Sequence, residues 1–136
     1  MVIDSHQHFW KYDPVHYDWI DDGMRILKRD FLPADLAPLL QQHGIDGCVA
    51  VQASQTESET KFLLSLAAES TFVKGVVGWV DLLSPDLDQK LEARPGVCGF
   101  RHILQSEPKG FVTNREFVAG VNKLRSFEFT YDLLVY

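Results

Sequence analysis

Val2-Ile3-Asp4-Ser5-His6-Gln7-His8 carries an apolar pair into two histidines that stand two residues apart. Side chains alternate across a β-strand, so Asp4, His6 and His8 share one face, and the two imidazoles converge where the strand ends. Moving outward from this stretch, four further short runs read as strands: residues 47–52, 73–81, 97–102 and 131–136. Several of them are apolar nearly throughout, as strands of a parallel sheet covered on both faces must be.

Helical spacing fills the intervals. Residues 35–43 precede Gly44, the usual residue just past a helix end, and Pro38 argues for a late start with Asp35 as N-cap. Thr56-x-x-Glu59 is a capping box ahead of Phe62, Leu63, Leu66 and Ala67, which recur on one helix face. Ser84 followed by Pro85 predicts a third start, with Leu87 and Leu91 aligned until Pro95-Gly96 ends the element. Thr113-x-x-Glu116 opens a fourth, with Phe117, Val121 and Leu124 on its apolar face. Strand and helix thus alternate four times before a fifth strand, the pattern of a parallel α/β architecture. The only long connection, residues 9–32, is rich in aromatics and charge, and a loop of that length in a compact domain usually serves a site.

Composition narrows the partners. The 136 residues are 46% hydrophobic with three Trp and nine Phe, enough for one domain with its own core, and there is no repeat, low-complexity tract or linker. The 13 basic against 19 acidic residues give a formal charge of -6, and no Lys/Arg cluster could track a phosphate backbone, so nucleic acid is excluded as a partner. No apolar run approaches the roughly 20 residues that span a bilayer, and the opening lacks a signal peptide's basic and apolar regions, which makes a cytoplasmic, membrane-free location the expectation. Cys48 and Cys98 stand apart in apolar surroundings and are expected to be buried free thiols.

The chemistry centres on the strand ends. Neutral imidazole is the commonest metal ligand, and two on one rigid segment can grip a divalent ion or hydrogen-bond a substrate carbonyl; the plainer alternative is an exposed polar strand end. His102 and Arg101 end the fourth strand, where either could orient an anionic or carbonyl oxygen, but alternation allows only one of them to face inward; His102 is the favoured one. Gln52 and Asp81 close the second and third strands and can reach the same rim, or instead cap the next turn. In the long loop Trp10, Tyr12, Tyr17 and Trp19 either wall a pocket or pack the loop onto the sheet. His43, in the last turn of a helix, reads as structural, and His16 as an ordinary loop residue.

Asp4-Ser-His6-Gln-His8-Phe-Trp10 resembles the opening motif of amidohydrolase-related proteins, in the branch that contains sugar-lactone hydrolases. Arg29-Asp-Phe-Leu-Pro33, Val51-Gln-Ala-Ser54, Gly75-Val-Val-Gly-Trp-Val-Asp-Leu82, Gly99-Phe-Arg-His102 and Tyr131-Asp-Leu-Leu-Val-Tyr136 are similar to that branch in order and spacing. The resemblance covers essentially the whole chain. It implies a (β/α)8 TIM barrel of the metal-dependent hydrolase type, here cut to about five strands and four helices. The implied reaction opens a small cyclic ester such as a fuconolactone, rhamnonolactone or pyrone dicarboxylate lactone. Taken with the strand-end and loop residues above, the expected catalytic residues are His6, His8 and His102, with Arg101, Gln52, Asp81 and Trp10 binding substrate. The resemblance also implies either a divalent metal on His6 and His8, zinc before others, or direct hydrogen bonding to substrate without metal.

Two departures from the family pattern stand out. A complete barrel has about 250 residues, so the later site residues, among them the general base, are absent and the chain is expected to be the N-terminal half of a longer protein. Ser126-Phe-Glu-Phe129 also occupies a turn where relatives resemble a glycine-containing one. The same barrel hosts decarboxylases and amide hydrolases, and a non-catalytic half-barrel that binds a sugar acid or pairs as a homo-oligomer is the reading from another class.

Overall fold

The computed structural model describes residues 1–134. Five strands, β1 (Ile3–Gln7), β2 (Gly47–Val51), β3 (Val73–Gly78), β4 (Val97–Ile103) and β5 (Thr130–Leu134), form one sheet in sequential order. Every neighbouring pair is parallel. Between successive strands run α1 (Pro33–His43), α2 (Glu57–Glu69), α3 (Leu87–Glu92) and α4 (Arg115–Leu124). A helix between each pair of successive strands and no change of strand order make half of a (β/α)8 barrel, as the resemblance implies. The last two residues of the expected fifth strand lie outside the described residues.

The core lies where strands meet helices. Cys48, Ala50, Leu63, Val73 and Val76 pack under α1 and α2, while Leu87, Leu91, Phe100, Phe117 and Leu124 pack under α3 and α4. Gly120 lets α4 close on the loop after β3, since a Cβ there would stand 2.1 Å from the Leu82 carbonyl oxygen. The expectation for the cysteines is half right: Cys48 is buried, but Cys98 is exposed and donates to the Val76 carbonyl oxygen at 3.2 Å. Cys98 sits where the pairing of β3 and β4 slips by a residue, between Val97 and Gly99.

Three helix starts differ from expectation, each for a local reason. α1 begins at Pro33 rather than late, because Pro33 takes the first helical position, where no amide donor is needed. Asp35 is therefore not the N-cap; it sits two residues further in and its carboxylate accepts from the Leu32 amide at 2.9 Å. Pro38 lies inside the helix. Ser84 does not start α3: Asp86 is the N-cap, and Ser84 donates its hydroxyl to the Asp86 carboxylate. Asn114 displaces Thr113 as cap of α4, its Oδ1 accepting from Glu116 N at 2.8 Å. The Thr56 cap is as expected, with Oγ1 accepting from Glu59 N at 3.2 Å.

β3 ends at Gly78, short of the expected Asp81, because the buried Thr60 hydroxyl intercepts the backbone. Thr60 Oγ1 accepts from Trp79 N at 2.8 Å and donates to Trp79 O at 2.9 Å, which takes both groups away from the ladder. Gly78 allows this approach, since a Cβ would stand 2.5 Å from Thr60 Cγ2.

The departure at Ser126–Phe129 has a structural counterpart. Glu128 ends the turn after α4 with φ 61° and ψ 24°, the only non-glycine residue with positive φ among the described residues. That conformation costs an L side chain about 1 kcal/mol or more that glycine avoids. Glu128→Gly should therefore raise the unfolding free energy by roughly 0.5–1 kcal/mol despite glycine's greater unfolded-state entropy, measured as a higher urea midpoint at unchanged m-value.

Candidate functional site

The C-terminal ends of β1, β2 and β4 meet at one cluster. His8 Nδ1 lies 2.8 Å from the Val51 carbonyl oxygen. A carbonyl only accepts, so in the neutral ring Nδ1 carries the proton and Nε2 presents its lone pair. His6 Nε2 stands 3.2 Å from His8 Nε2 and 3.2 Å from Arg101 Nη1. A guanidinium only donates, so the single Nε2 lone pair of His6 accepts from Arg101, and the His8 Nε2 stands beside it with the two rings edge to face at 81°.

Arg101 is buried and crosses behind the pair. Its Nη2 donates to the Gln52 backbone oxygen and, at 2.9 Å, to Gln52 Oε1. Gln52 returns the contact from Nε2 to the Arg101 carbonyl oxygen at 3.3 Å, and it is wholly buried. Burial, with the positive Arg101 and the His6 ring adding to it, pushes the His8 imidazole down to about 4. It is neutral at pH 7.

A cleft of about 570 Å³ opens in front of the cluster, within the range of small-molecule sites. His8 and Arg101 line it together with Trp19 from the long loop, Ala53 from the turn after β2, and Ile103 and Gln105 from the end of β4. Asp18 and His16 also reach it, as do Ser54, Gln55 and Ser106.

Of the residues singled out from sequence, the structure brings His6, His8, Arg101 and Gln52 together. His102 is corrected: alternation turns it to the opposite side from Arg101, where Nε2 meets Glu107 Oε1 at 2.7 Å and the ring stacks 5.3 Å from Phe111. Trp79 Nε1 donates to its Nδ1 at 3.3 Å, so both of its nitrogens have partners away from the cleft. Asp81 is likewise a turn residue, its carboxylate accepting from Leu83 N at 3.0 Å. Trp10 is buried and donates to the Arg29 carbonyl oxygen at 2.9 Å, behind the cleft rather than in it. Trp19 takes the wall position expected of Trp10, and His16, read as an ordinary loop residue, lines the cleft. The long loop is also more ordered than its composition suggests. It contains a 3-10 segment, Asp22–Leu27, and a Trp10–Phe31 bridge that pins its two ends.

The amidohydrolase family model matches residues 3–134. This chain belongs to the amidohydrolase family. Among curated relatives it is 43% identical to the L-fucono-1,5-lactonase of Burkholderia multivorans, over 98% of this chain and 47% of that protein. It is 34% identical to the L-fucono-1,5-lactonase of Burkholderia ambifaria, with the same two coverages. The chain thus spans about half the length of the curated relatives it matches. A crystal structure of an amidohydrolase from Burkholderia multivorans with bound zinc superposes with a TM-score of 0.96 at 41% identity, covering all of this chain and 49% of that one. The fold of an amidohydrolase from Bifidobacterium longum subsp. infantis is also similar, at a TM-score of 0.71. No described helix of this family member is long and apolar enough to cross a membrane.

The neutral state of His8 has a measurable consequence. Its folded value lies below the unfolded 6.5, so its contribution to stability is complete above pH 6.5 and is lost as pH falls toward 4. The size is about 2–3 kcal/mol. Histidine NMR titration should show His8 protonating near 4, and urea unfolding at pH 7 and pH 4.5 should differ by less in His8→Ala than in the native chain.

Proposed function

We propose that the cleft is half of a lactone-hydrolysing site, and that the protein acts on a small cyclic ester of the sugar-acid type by water attack on the carbonyl. The observation that carries this reading is the convergence of His6, His8 and Arg101, the last two of which line a cleft of ligand size. The reaction needs an activated water and a fixed positive partner for the oxyanion that develops on the carbonyl. Arg101, buried and already oriented by Gln52, supplies a donor that does not have to reorganise as charge develops. The two imidazoles supply nitrogen ligands for a metal. The names of the curated relatives, both L-fucono-1,5-lactonases, support the choice of substrate class.

The donor set bears on the metal. Two nitrogens shared by a tetrahedral zinc at about 2.0–2.1 Å stand roughly 3.3 Å apart, and the two Nε2 atoms are 3.2 Å apart. The bond from His8 Nδ1 to Val51 O is the kind of outer contact that orients a zinc-bound imidazole. His6 and His8 therefore fit as two ligands, while no group of three His, Cys, Asp or Glu able to hold an ion occurs among the described residues. A zinc held there would polarise the carbonyl or acidify a bound water.

The experiment is an assay of L-fucono-1,5-lactone opening by a version of the protein extended to a full barrel, followed by acid release. Replacing both His6 and His8 by Ala should lower kcat/KM by at least about 100-fold, and Arg101→Met by about 10- to 100-fold. Full turnover in the double histidine variant, or release of carbon dioxide or ammonia instead of an acid, contradicts the reading.

A further inference from the structure

Glu59 is a carboxylate buried to 5% exposure in the first turn of α2, and it takes no part in the chemistry above. Its Oε2 accepts from Ala53 N at 3.0 Å and Ser54 N at 2.8 Å, and its Oε1 accepts from the hydroxyl of Tyr17 at 2.9 Å. One side chain thus ties the turn after β2 to the long loop, Glu59 standing 42 positions from Tyr17. Two residues beyond Tyr17, Trp19 Nε1 donates to the Ala53 carbonyl oxygen at 3.2 Å. The Ala53 backbone is therefore held on its amide side by Glu59 and on its carbonyl side by the indole. Trp10 supports that indole edge to face, with centroids 6.2 Å apart at 85°. Trp19 remains 43% exposed, and it lines the cleft with Ala53 and Ser54.

A buried carboxylate is costly unless fully hydrogen-bonded. Burial pushes the Glu59 carboxyl up, and its three hydrogen bonds and the charge of Arg101 oppose that push without cancelling it. A hydrocarbon would fill the same space more cheaply, so the carboxylate does something packing cannot: it fixes the direction of two amides and a phenol. What it fixes is a half-exposed aromatic face beside an arginine. An aromatic face next to a cation and polar side chains suits a ring with a C–H face, hydroxyls at its edge and a carboxyl-level oxygen, which describes a sugar-acid lactone.

We propose that Glu59 and Tyr17 form a buried latch that positions Trp19 and the Ala53–Ser54 backbone as one wall of the cleft, and so sets how tightly a sugar acid is held, as lactone or as the opened acid. Neither touches the ligand; both are positioning residues. The ligand half of this inference rests on the lactone reading of the cleft, and the latch half does not.

The exchange test uses the chain as it is, with Tyr17→Phe, which removes only the hydroxyl, and Glu59→Gln as a second variant. Amide hydrogen exchange by NMR is read at Ala53 and Ser54, together with exchange of the Trp19 indole N–H. The Trp79 backbone amide, held by Thr60, serves as the internal control. Isothermal titration with L-fuconate, the opened acid, reads the cleft. Tyr17→Phe should speed exchange at the three latch positions by about tenfold or more, leave Trp79 at its native rate, and weaken L-fuconate binding about fivefold or more. Unchanged exchange at Ala53, Ser54 and Trp19, or an equal rise at Trp79, overturns the latch. A loosened wall with unchanged L-fuconate affinity overturns its role in ligand binding. The titration is made on the version extended to a full barrel, with and without the substitutions; if that protein binds no L-fuconate when unsubstituted, the lactone reading fails, and the exchange data still decide the latch.

Discussion

The structure turns on one reciprocal contact, the exchange between Arg101 and Gln52. The guanidinium of β4 takes the backbone and side-chain oxygens of Gln52 at the end of β2, and the amide of Gln52 gives its hydrogen back to the backbone of Arg101. These two strands are not neighbours, since β3 lies between them. A side-chain bridge over an intervening strand end fixes the curvature of the rim more tightly than ladder hydrogen bonds, which only join adjacent strands. Arg101 then reaches β1 through His6, so one buried cation holds the ends of three strands.

That constraint explains why the imidazoles are arranged for chemistry. A guanidinium donating to His6 and a carbonyl receiving from His8 give the two Nε2 atoms a fixed arrangement 3.2 Å apart. It is held because the strand ends are held, and electrostatic preorganisation of this kind costs nothing at the moment of reaction. The opposite wall of the cleft is organised on the same principle with the opposite charge, around the carboxylate of Glu59.

Much of this was legible in the sequence. Apolar strand runs and helical spacing predict the alternation of strand and helix, and two-residue alternation places His6 and His8 on one face. The choice between Arg101 and His102 was not legible, because alternation says that only one faces inward and not which; the slip in pairing at Cys98 lies just upstream in the same strand. Trp19 and His16 could not be told from Trp10, since their positions depend on a loop whose ends are pinned by the Trp10–Phe31 bridge. Glu59 looked like a capping-box member. Its carboxylate turns instead to Ala53, Ser54 and Tyr17, contacts that only the folded loop provides. A signal for it did exist, in a Tyr in the long loop and an acid opening the second helix, but nothing in either segment pairs them.

The central claim is that Arg101 and the two imidazoles, and not His102, form the reacting end of the cleft. The most direct measurement is side-chain nitrogen NMR of the histidines and of Arg101 while L-fuconate is added. His6, His8 and Arg101 should shift together and saturably while His102, closed off by Glu107, Trp79 and Phe111, does not move. Shifts at His102 with His6, His8 and Arg101 unchanged would contradict it.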